Sequence, residues 1–299
     1  MNATTMPIPA APPGLPGAAG LGAAVLRWLC DPRPVAAPAE LDSAALGAAL
    51  QAAIDAKLVC LLADHLLHNR ADADLSRAMC SVLGQIVRAN ALHNRLHYGE
   101  AVRIVEVLAR RDVPVAVLNG LAYTNLYPPG RLRQFTDIDL LVGAADLDTA
   151  LDVLAELGFT DQGRGAHTRR RATGDALTPT VSVDITTSLG HTADPAGVRA
   201  ALARTETSDG PDAGEQLPVL ARADALWHTL ARLAARSRWS GLADAARLAL
   251  ADPALSREVG AEVPELVRAG WAVLHTHLPD LIPGPPVAGD GPGRGEPAR

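Results

Sequence analysis

The sequence lacks the features that define several protein classes. It contains three cysteines in 299 residues, without a C-x-x-C pair, so neither a disulfide framework nor a cysteine-ligated zinc site is predicted. No uninterrupted apolar run reaches the roughly 18 to 20 residues that span a bilayer. The N-terminus also lacks the basic start and apolar centre of a secretory signal. We therefore expect free thiols and a cytoplasmic protein without a membrane segment.

The chain also lacks an excess of positive charge, and it contains almost no lysine. The net charge is −6, and nonspecific binding to nucleic acid depends on a basic face that neutralises phosphates. A nucleic-acid partner is therefore not favoured. Lys57 is the only lysine, which leaves arginine as the residue available for most phosphate contacts.

Apolar periodicity divides the chain into a central β-containing region between two helical regions. Residues 1–20 and 279–299 are rich in proline and glycine without periodicity, which predicts a disordered arm and a disordered tail. Residues 21–112 and 208–278 place apolar residues three and four positions apart, which predicts an N-terminal helical region and a C-terminal helical lobe. Residues 113–207 alternate between strand and helix patterns. The predicted fold class is α+β.

Two carboxylates stand at the start of an apolar strand in the central region. Asp137 and Asp139 flank Ile138 and precede the apolar residues 140–142. In a strand, residues i and i+2 lie on one face, about 7 Å apart along the chain, so both carboxylates can converge on one cation or a pair of cations. Carboxylate oxygens are ligands that Mg²⁺ prefers. The alternative is a solvated turn or edge strand, which a bare D-x-D does not exclude.

The surrounding residues carry a resemblance to a known family. Residues 113–159 read VPVAVLNGLAYTNLYPPGRLRQFTDIDLLVGAADLDTALDVLAELGF. This segment resembles the uncharacterised nucleotidyltransferase family of the polymerase-beta-like superfamily. The positions that fall on the family pattern are Gly120, Tyr127, Pro128, Arg133, Thr136, Asp137 and Asp139. The resemblance implies a small mixed nucleotidyltransferase sheet flanked by N-terminal and C-terminal helical layers.

An acidic residue on an adjacent strand would complete the implied metal site. Residues 181–189 read VSVDITTSL, and their alternation directs Asp184 away from the apolar face. The family has an acidic residue on this strand, usually followed by histidine and an aromatic residue, whereas this chain has Thr186 and Thr187. We predict Asp184 as the third ligand or the general base. The alternative is an ordinary exposed strand residue.

The resemblance also implies a nucleotide-binding part of the site. Gly120 is expected to let backbone N–H groups approach a triphosphate, and Arg133 to contact phosphate. The alternatives are a tight turn and a solvated arginine. Thr136 and Asn119 complete the predicted cofactor-binding set. Asn119 stands where the family commonly has lysine, so a cationic phosphate contact would have to come from an arginine. The candidates are Arg131, Arg169, Arg170 and Arg171, although the run at residues 169–171 is equally consistent with a solvated loop.

The C-terminal lobe contains three residues at places that resemble the family pattern, namely His228, Trp239 and Asp244. Core packing would explain the tryptophan. Helix polarity or capping would explain the histidine and the aspartate, and we favour these structural interpretations.

The implied reaction moves a nucleoside monophosphate, AMP in the first instance, from an NTP to an acceptor hydroxyl or similar group. The expected cofactors are two Mg²⁺ ions, which can stabilise the attacking and leaving oxygens, and ATP as donor. By analogy with natural-product pathways, we expect a small-molecule or peptide acceptor. The alternative is a degenerate nucleotidyltransferase fold that binds nucleotide, peptide or protein without catalysis, which Asn119 and the altered segment after Asp184 favour.

Overall fold

A computed structural model describes residues 15, 20–34, 37–38, 41, 45–68, 75–127, 132–161, 163, 167–176, 178–210, 215–252, 255 and 263–281. Most of the predicted disordered arm and tail lies outside these residues, as does Arg131. Leu15 is nevertheless buried in the core, and the first helix begins at Gly20.

Seven strands form one mixed sheet in the part of the chain that the structure describes. They are β1 (Val115–Leu118), β2 (Ile138–Val142), β3 (Thr160–Asp161), β4 (Thr168–Ala172), β5 (Thr180–Thr186), β6 (Glu206–Asp209) and β7 (Gln216–Val219). Their order across the sheet is β3-β4-β5-β2-β1-β7-β6. The sheet thus continues past residue 207 as far as β7, which pairs with β1.

Ten helices surround the sheet in the described part of the chain. They are α1 (Gly20–Cys30), α2 (Leu46–Asp55), α3 (Val59–His68), α4 (Arg77–Ala109), α5 (Asn119–Ala122), α6 (Leu147–Glu156), α7 (Pro195–Leu202), α8 (Arg222–Arg236), α9 (Trp239–Ala251) and α10 (Glu265–His277). The predicted α+β class is confirmed. Among the described residues, none of the helices combines the length and the apolar character needed to cross a membrane.

The two faces of the sheet meet different helices because alternate residues of a strand point to opposite sides. Val115 and Val117 of β1 join a cluster with residues of α4 and α6. Ala116 and Leu118 join a second cluster, which includes residues of α1, α8 and α9. Leu141 of β2 belongs to this second cluster, and Asp139, two residues earlier, shares its face. The face that carries Asp139 is therefore the one covered by the C-terminal helices.

β2 lies between two partners that fix the position of its acidic residue. It runs antiparallel to β1, where Asp139 is opposite Leu118. It runs parallel to β5, where Asp139 is opposite Asp184. A one-residue slip of either strand would turn its side chains to the other face. The register therefore determines whether the two carboxylates meet.

Gly270 allows α10 to approach α8 closely enough for backbone contact. A Cβ atom at Gly270 would overlap the backbone of Leu230, which cannot move away as a side chain can. We expect Gly270→Ala to lower the free energy of unfolding by about 1 to 3 kcal/mol, the range of overpacked cores, as measured by urea denaturation.

Gly99→Ala is the matched control for this substitution. Gly99 lies in the interior of α4, and the place that an added Cβ would occupy is open space, so alanine should raise stability there by about 0.5 to 1 kcal/mol. Equal stability of Gly270→Ala and the wild type would show that the approach of the two helices does not require glycine.

Candidate active site

Three carboxylates converge at one end of the central strands. Asp139 lies on β2, Asp137 immediately precedes that strand, and Asp184 lies on β5. One oxygen of each lies within 4.8 Å of the others, and all three side chains are half-buried. The parallel pairing of β2 with β5 explains the arrangement, since it sets Asp139 beside Asp184. The structure thus brings together the three residues predicted to hold metal.

The electrostatics of this cluster fit a divalent cation. Burial and the neighbouring Asp137 raise the pKa of the Asp139 carboxyl to about 6. Oδ1 of Asp184 is buried and has no hydrogen-bond partner among the described residues. An all-oxygen donor set with an unsatisfied buried oxygen is the kind of site that Mg²⁺ or Mn²⁺ occupies. The residues present therefore fit the metal that the sequence predicts.

Asn119 is hydrogen-bonded to this cluster rather than being free to contact a ligand. Its Nδ2 donates to Oδ2 of Asp139 over 2.8 Å, and its Oδ1 lies 3.2 Å from Nε2 of His228. Its φ is 55°, in the left-handed region that asparagine tolerates better than most residues. Asn119 is therefore a partner of a predicted metal ligand.

His228 is a buried member of the site, so the interpretation from helix polarity or capping is wrong for it. It lies within α8 and is 3% exposed. Its Nδ1 accepts a hydrogen bond from the backbone N–H of Gly190, over 2.9 Å. Burial lowers the pKa of the imidazole to about 3, with Arg232 and His191 acting in the same direction. The ring is therefore neutral at physiological pH.

Gly120 is explained by close packing. It lies in the four-residue helix α5, and a Cβ there would stand 2.5 Å from Cβ of Phe135. The absence of a side chain lets the segment after β1 lie against the segment that leads into β2. Gly120 also lines the cavity described below.

Arg133 forms a buried ion pair with Asp244 of α9, so a solvated turn arginine is the wrong interpretation. Its Nε and Nη2 donate to the two carboxylate oxygens over 2.8 and 2.7 Å. Tyr127 Oη donates to the same carboxylate over 2.6 Å. Asp244 is 4% exposed and lies in the interior of α9, which contradicts both a polar helix face and a capping role. Trp239 is buried as expected.

A cavity of about 770 Å³ opens beside the carboxylates. Asp137 and Asp139 line it, as does Asn119. Cationic side chains from other elements line the same cavity; apart from Arg133, they are Lys57, Arg232, Arg236 and Arg238. A ligand that combines phosphate groups with a bound metal would find both kinds of partner there.

Three of the four arginines that the sequence had suggested lie elsewhere, and the fourth, Arg131, lies outside the described residues. Residues 169–171 form part of β4, where Arg171 is paired with Glu100 over 2.5 Å and Arg169 with Asp161 over 3.4 Å. They do not line the cavity. The spacing of His228, Arg232 and Arg236, four residues apart on one helix, was the signal that could have pointed to the cavity, since such positions share a face.

Thr136 is exposed and stands beside the only lysine. Nζ of Lys57 donates to its Oγ1 over 3.3 Å. Lys57 follows α2, has a φ of 58° and lines the cavity, so the N-terminal helical region contributes a cation to the cavity. No local pattern in the sequence connects these two residues, which lie 79 positions apart.

Comparison with known proteins gives one family and several distant structures. The sequence model of the family described as uncharacterised nucleotidyltransferase matches residues 42–254. No curated protein matches the chain. A crystal structure of an antigenic nucleotidyltransferase-like protein from Paracoccidioides brasiliensis is similar, with 14% identity, a TM-score of 0.43, and coverage of 62% of this chain and 89% of that one.

Two structures of ANT(2″)-Ia are also similar. The solution structure of this antibiotic-resistance factor has 14% identity, a TM-score of 0.35, and coverage of 66% of this chain and 95% of that one. The crystal structure in complex with adenylyl-2″-tobramycin has 14% identity, a TM-score of 0.35, and coverage of 58% and 94%.

The ion pair of Arg133 predicts a large effect on stability. Arg133→Met would leave the Asp244 carboxylate buried without its cation, and breaking a buried pair in this way lowers the free energy of unfolding by about 3 to 5 kcal/mol. Urea denaturation would measure it. The exposed pair of Arg111 with Glu156 supplies the control, because Arg111→Met should change stability by about 1 kcal/mol or less. Similar small effects of both variants would contradict the structural role of Arg133.

Because the pKa of Asp139 is raised, replacing its carboxyl group is expected to stabilise the protein by an amount that depends on pH. The folded state holds this proton more tightly than the unfolded chain, whose carboxyl has a pKa of 3.8, so the group lowers stability as pH rises from about 4 to about 6. Without divalent ions, Asp139→Asn should therefore raise the free energy of unfolding at pH 7 by about 1 to 2 kcal/mol, given solvent screening.

Urea denaturation of both proteins in EDTA, at pH 7 and at pH 4, tests this expectation. Both proteins contain the other titrating groups, including His228, so their contributions cancel in the difference between the two free energies of unfolding. This difference should shrink towards zero at pH 4. A gain of equal size at both pH values would contradict the assigned titration of Asp139.

Proposed function

The chain belongs to the uncharacterised nucleotidyltransferase family, and on that premise we propose that it is a metal-dependent enzyme that transfers a nucleoside monophosphate from an NTP to an acceptor hydroxyl. Pyrophosphate is the second product. The observation that carries the proposal is the meeting of three carboxylates, two on adjacent strands and one just before the first of them, beside a cavity lined by cationic side chains.

The carboxylates are the proposed ligands for Mg²⁺. Asp137, Asp139 and Asp184 would hold it, and the bound metal supplies charge stabilisation at phosphate oxygens during nucleotidyl transfer. Asp184 is also the proposed acceptor for the proton of the attacking hydroxyl, because its buried Oδ1 has no hydrogen-bond partner among the described residues.

Arg232 is the first proposed phosphate ligand. It lines the cavity, and its charge acts on the pKa of both Asp139 and His228, so it lies near the carboxylate cluster. No carboxylate among the described residues forms an ion pair with it. Its guanidinium is therefore available for bidentate contact with phosphate. Lys57 and Arg236, which are exposed at the same cavity, are proposed to contact the rest of the triphosphate.

The four residues predicted to bind the nucleotide divide into two pairs. Gly120 lines the cavity and Thr136 adjoins Lys57, and we keep both in the proposed nucleotide site. Asn119 and Arg133 also line the cavity, yet their polar groups are bonded to carboxylates. We propose that these two act on the site through those carboxylates.

ATP is the proposed donor, and a small molecule or peptide the proposed acceptor. A cavity of about 770 Å³ lies within the range of small-molecule and cofactor sites, about 300 to 1,000 Å³. Cationic residues line this cavity together with Tyr123 and Trp239. The cavity therefore offers contacts both for phosphate and for apolar or aromatic parts of a ligand.

Calorimetric titration of ATP, GTP, CTP and UTP, each with and without Mg²⁺, tests the proposal. We expect Mg²⁺-dependent binding by the wild type and its loss in Asp137→Asn. Arg232→Gln should weaken binding about tenfold, the effect of losing one hydrogen bond from a charged group. Pyrophosphate release with a panel of hydroxyl-bearing small molecules and peptides would then identify the acceptor.

Arg199→Gln is the matched control, because Arg199 is an exposed arginine of α7 that does not line the cavity. It should bind the NTP as the wild type does. Absence of binding by any NTP would overturn the proposed transferase and favour a non-catalytic role of the same fold. Equal losses in the two arginine variants would reject Arg232 as a specific ligand.

A further inference from the structure

A continuous row of hydrogen bonds leads from the backbone to a proposed metal ligand. The N–H of Gly190 donates to Nδ1 of His228 over 2.9 Å. Nε2 of His228 lies 3.2 Å from Oδ1 of Asn119. Nδ2 of Asn119 donates to Oδ2 of Asp139 over 2.8 Å. Three segments that are distant in sequence are thereby joined at one carboxylate.

The direction of every bond in this row follows from its first member. A backbone N–H can only donate, so Nδ1 of His228 carries no hydrogen. A neutral imidazole then carries its hydrogen on Nε2, which must be the donor to Asn119. The oxygen of the Asn119 amide accepts that bond, and so the amide nitrogen is the atom that faces Asp139. His228 therefore determines which end of Asn119 meets the carboxylate.

Packing keeps the row in place. His228 is 3% exposed, so no solvent competes for its nitrogens. Gly190 follows β5 in a turn closed by the bridge between Leu189 and Thr192. A Cβ at Gly190 would stand 3.0 Å from the carbonyl oxygen of His228, so the turn approaches α8 as closely as it does because glycine is there. The turn after β5, the strand that carries Asp184, is thus packed against α8, the helix that carries His228.

We infer that His228 and Asn119 are positioning residues that orient the carboxylate of Asp139 for a divalent cation. The inference rests on the proposed metal site. Without the amide donor, the carboxylate of Asp139 would lose the hydrogen bond that fixes its rotamer, and rotation away from Asp137 and Asp184 would remove a metal ligand. Partners of this kind, which bond to ligands rather than to the metal, alter metal affinity by about 10- to 100-fold when they are removed.

Four variants separate this positioning role from a purely structural role in core packing. Asn119→Gly keeps the left-handed backbone and removes the amide. His228→Asn retains an acceptor near the position of Nδ1 but is too short to reach Asn119. His228→Gln retains a donor near the position of Nε2 and should restore the contact. Tyr127→Phe is the control, because it removes a different buried hydrogen bond, the one to Asp244, and leaves the row intact.

The measurement is Mn²⁺ binding to metal-free protein, followed by electron paramagnetic resonance of the free ion, with circular dichroism to verify the fold. Asn119→Gly and His228→Asn should each bind Mn²⁺ about 10- to 100-fold more weakly, whereas His228→Gln and Tyr127→Phe should bind within about threefold of wild type. Because His228 acts through Asn119, the double variant Asn119→Gly/His228→Asn should lose no more affinity than Asn119→Gly alone.

Each contrary outcome has a distinct meaning. Wild-type affinity in folded Asn119→Gly would overturn the inference and leave the metal site standing. Equally weak binding by His228→Gln and His228→Asn would overturn the part assigned to the Nε2 donor. Absence of Mn²⁺ binding by the wild type would overturn the proposed metal site and the inference together.

Discussion

The mutual repulsion of carboxylates on neighbouring strands is the constraint to which the rest of the site responds. Parallel pairing sets Asp139 directly beside Asp184, and Asp137 lies within the same cluster. Burial disfavours ionisation of Asp139, the like charges of Asp137 and Asp184 act in the same direction, and together they raise its pKa to about 6. A fold that keeps such a cluster carries a destabilising feature at neutral pH, which a bound cation would relieve.

α8 places two different groups near the carboxylates from one face. His228 and Arg232 are four residues apart and therefore neighbours on the helix surface. The histidine is buried, neutral and engaged through Asn119, while the arginine lines the cavity and favours the charged form of Asp139. The position of this helix therefore affects both the orientation of Asp139 and the charge of the cavity, and the close contact of Gly270 with Leu230 fixes where α10 packs on it.

Local pattern predicted the parts of the site that lie on strands. The apolar run after Asp139 and the alternation around Asp184 are properties of neighbouring residues, and both strands formed as those patterns indicate. The partners of Arg133 and Asn119 could not be predicted in this way. Asp244 and His228 are 111 and 109 positions away from them, and pairing over such distances depends on how the C-terminal helices pack against the sheet. The prediction that the arginine run at residues 169–171 supplies a phosphate contact failed for the same reason. The run lies on β4, which does not border the cavity, and that position depends on the packing of the whole sheet.

The geometry around Asn119 changes what its presence means. By resemblance to the family, a lysine is expected there, and from the sequence alone asparagine indicates that the site has lost a cationic phosphate contact. In the structure the backbone at this position is left-handed, with a φ of 55°, which favours asparagine over lysine. The side chain supplies a neutral donor to Asp139, and Arg232 stands near enough to act on the pKa of that carboxylate. On the proposed function, Arg232 would supply the charge and Asn119 the hydrogen bond to Asp139, so the absence of lysine at position 119 does not by itself argue against the site.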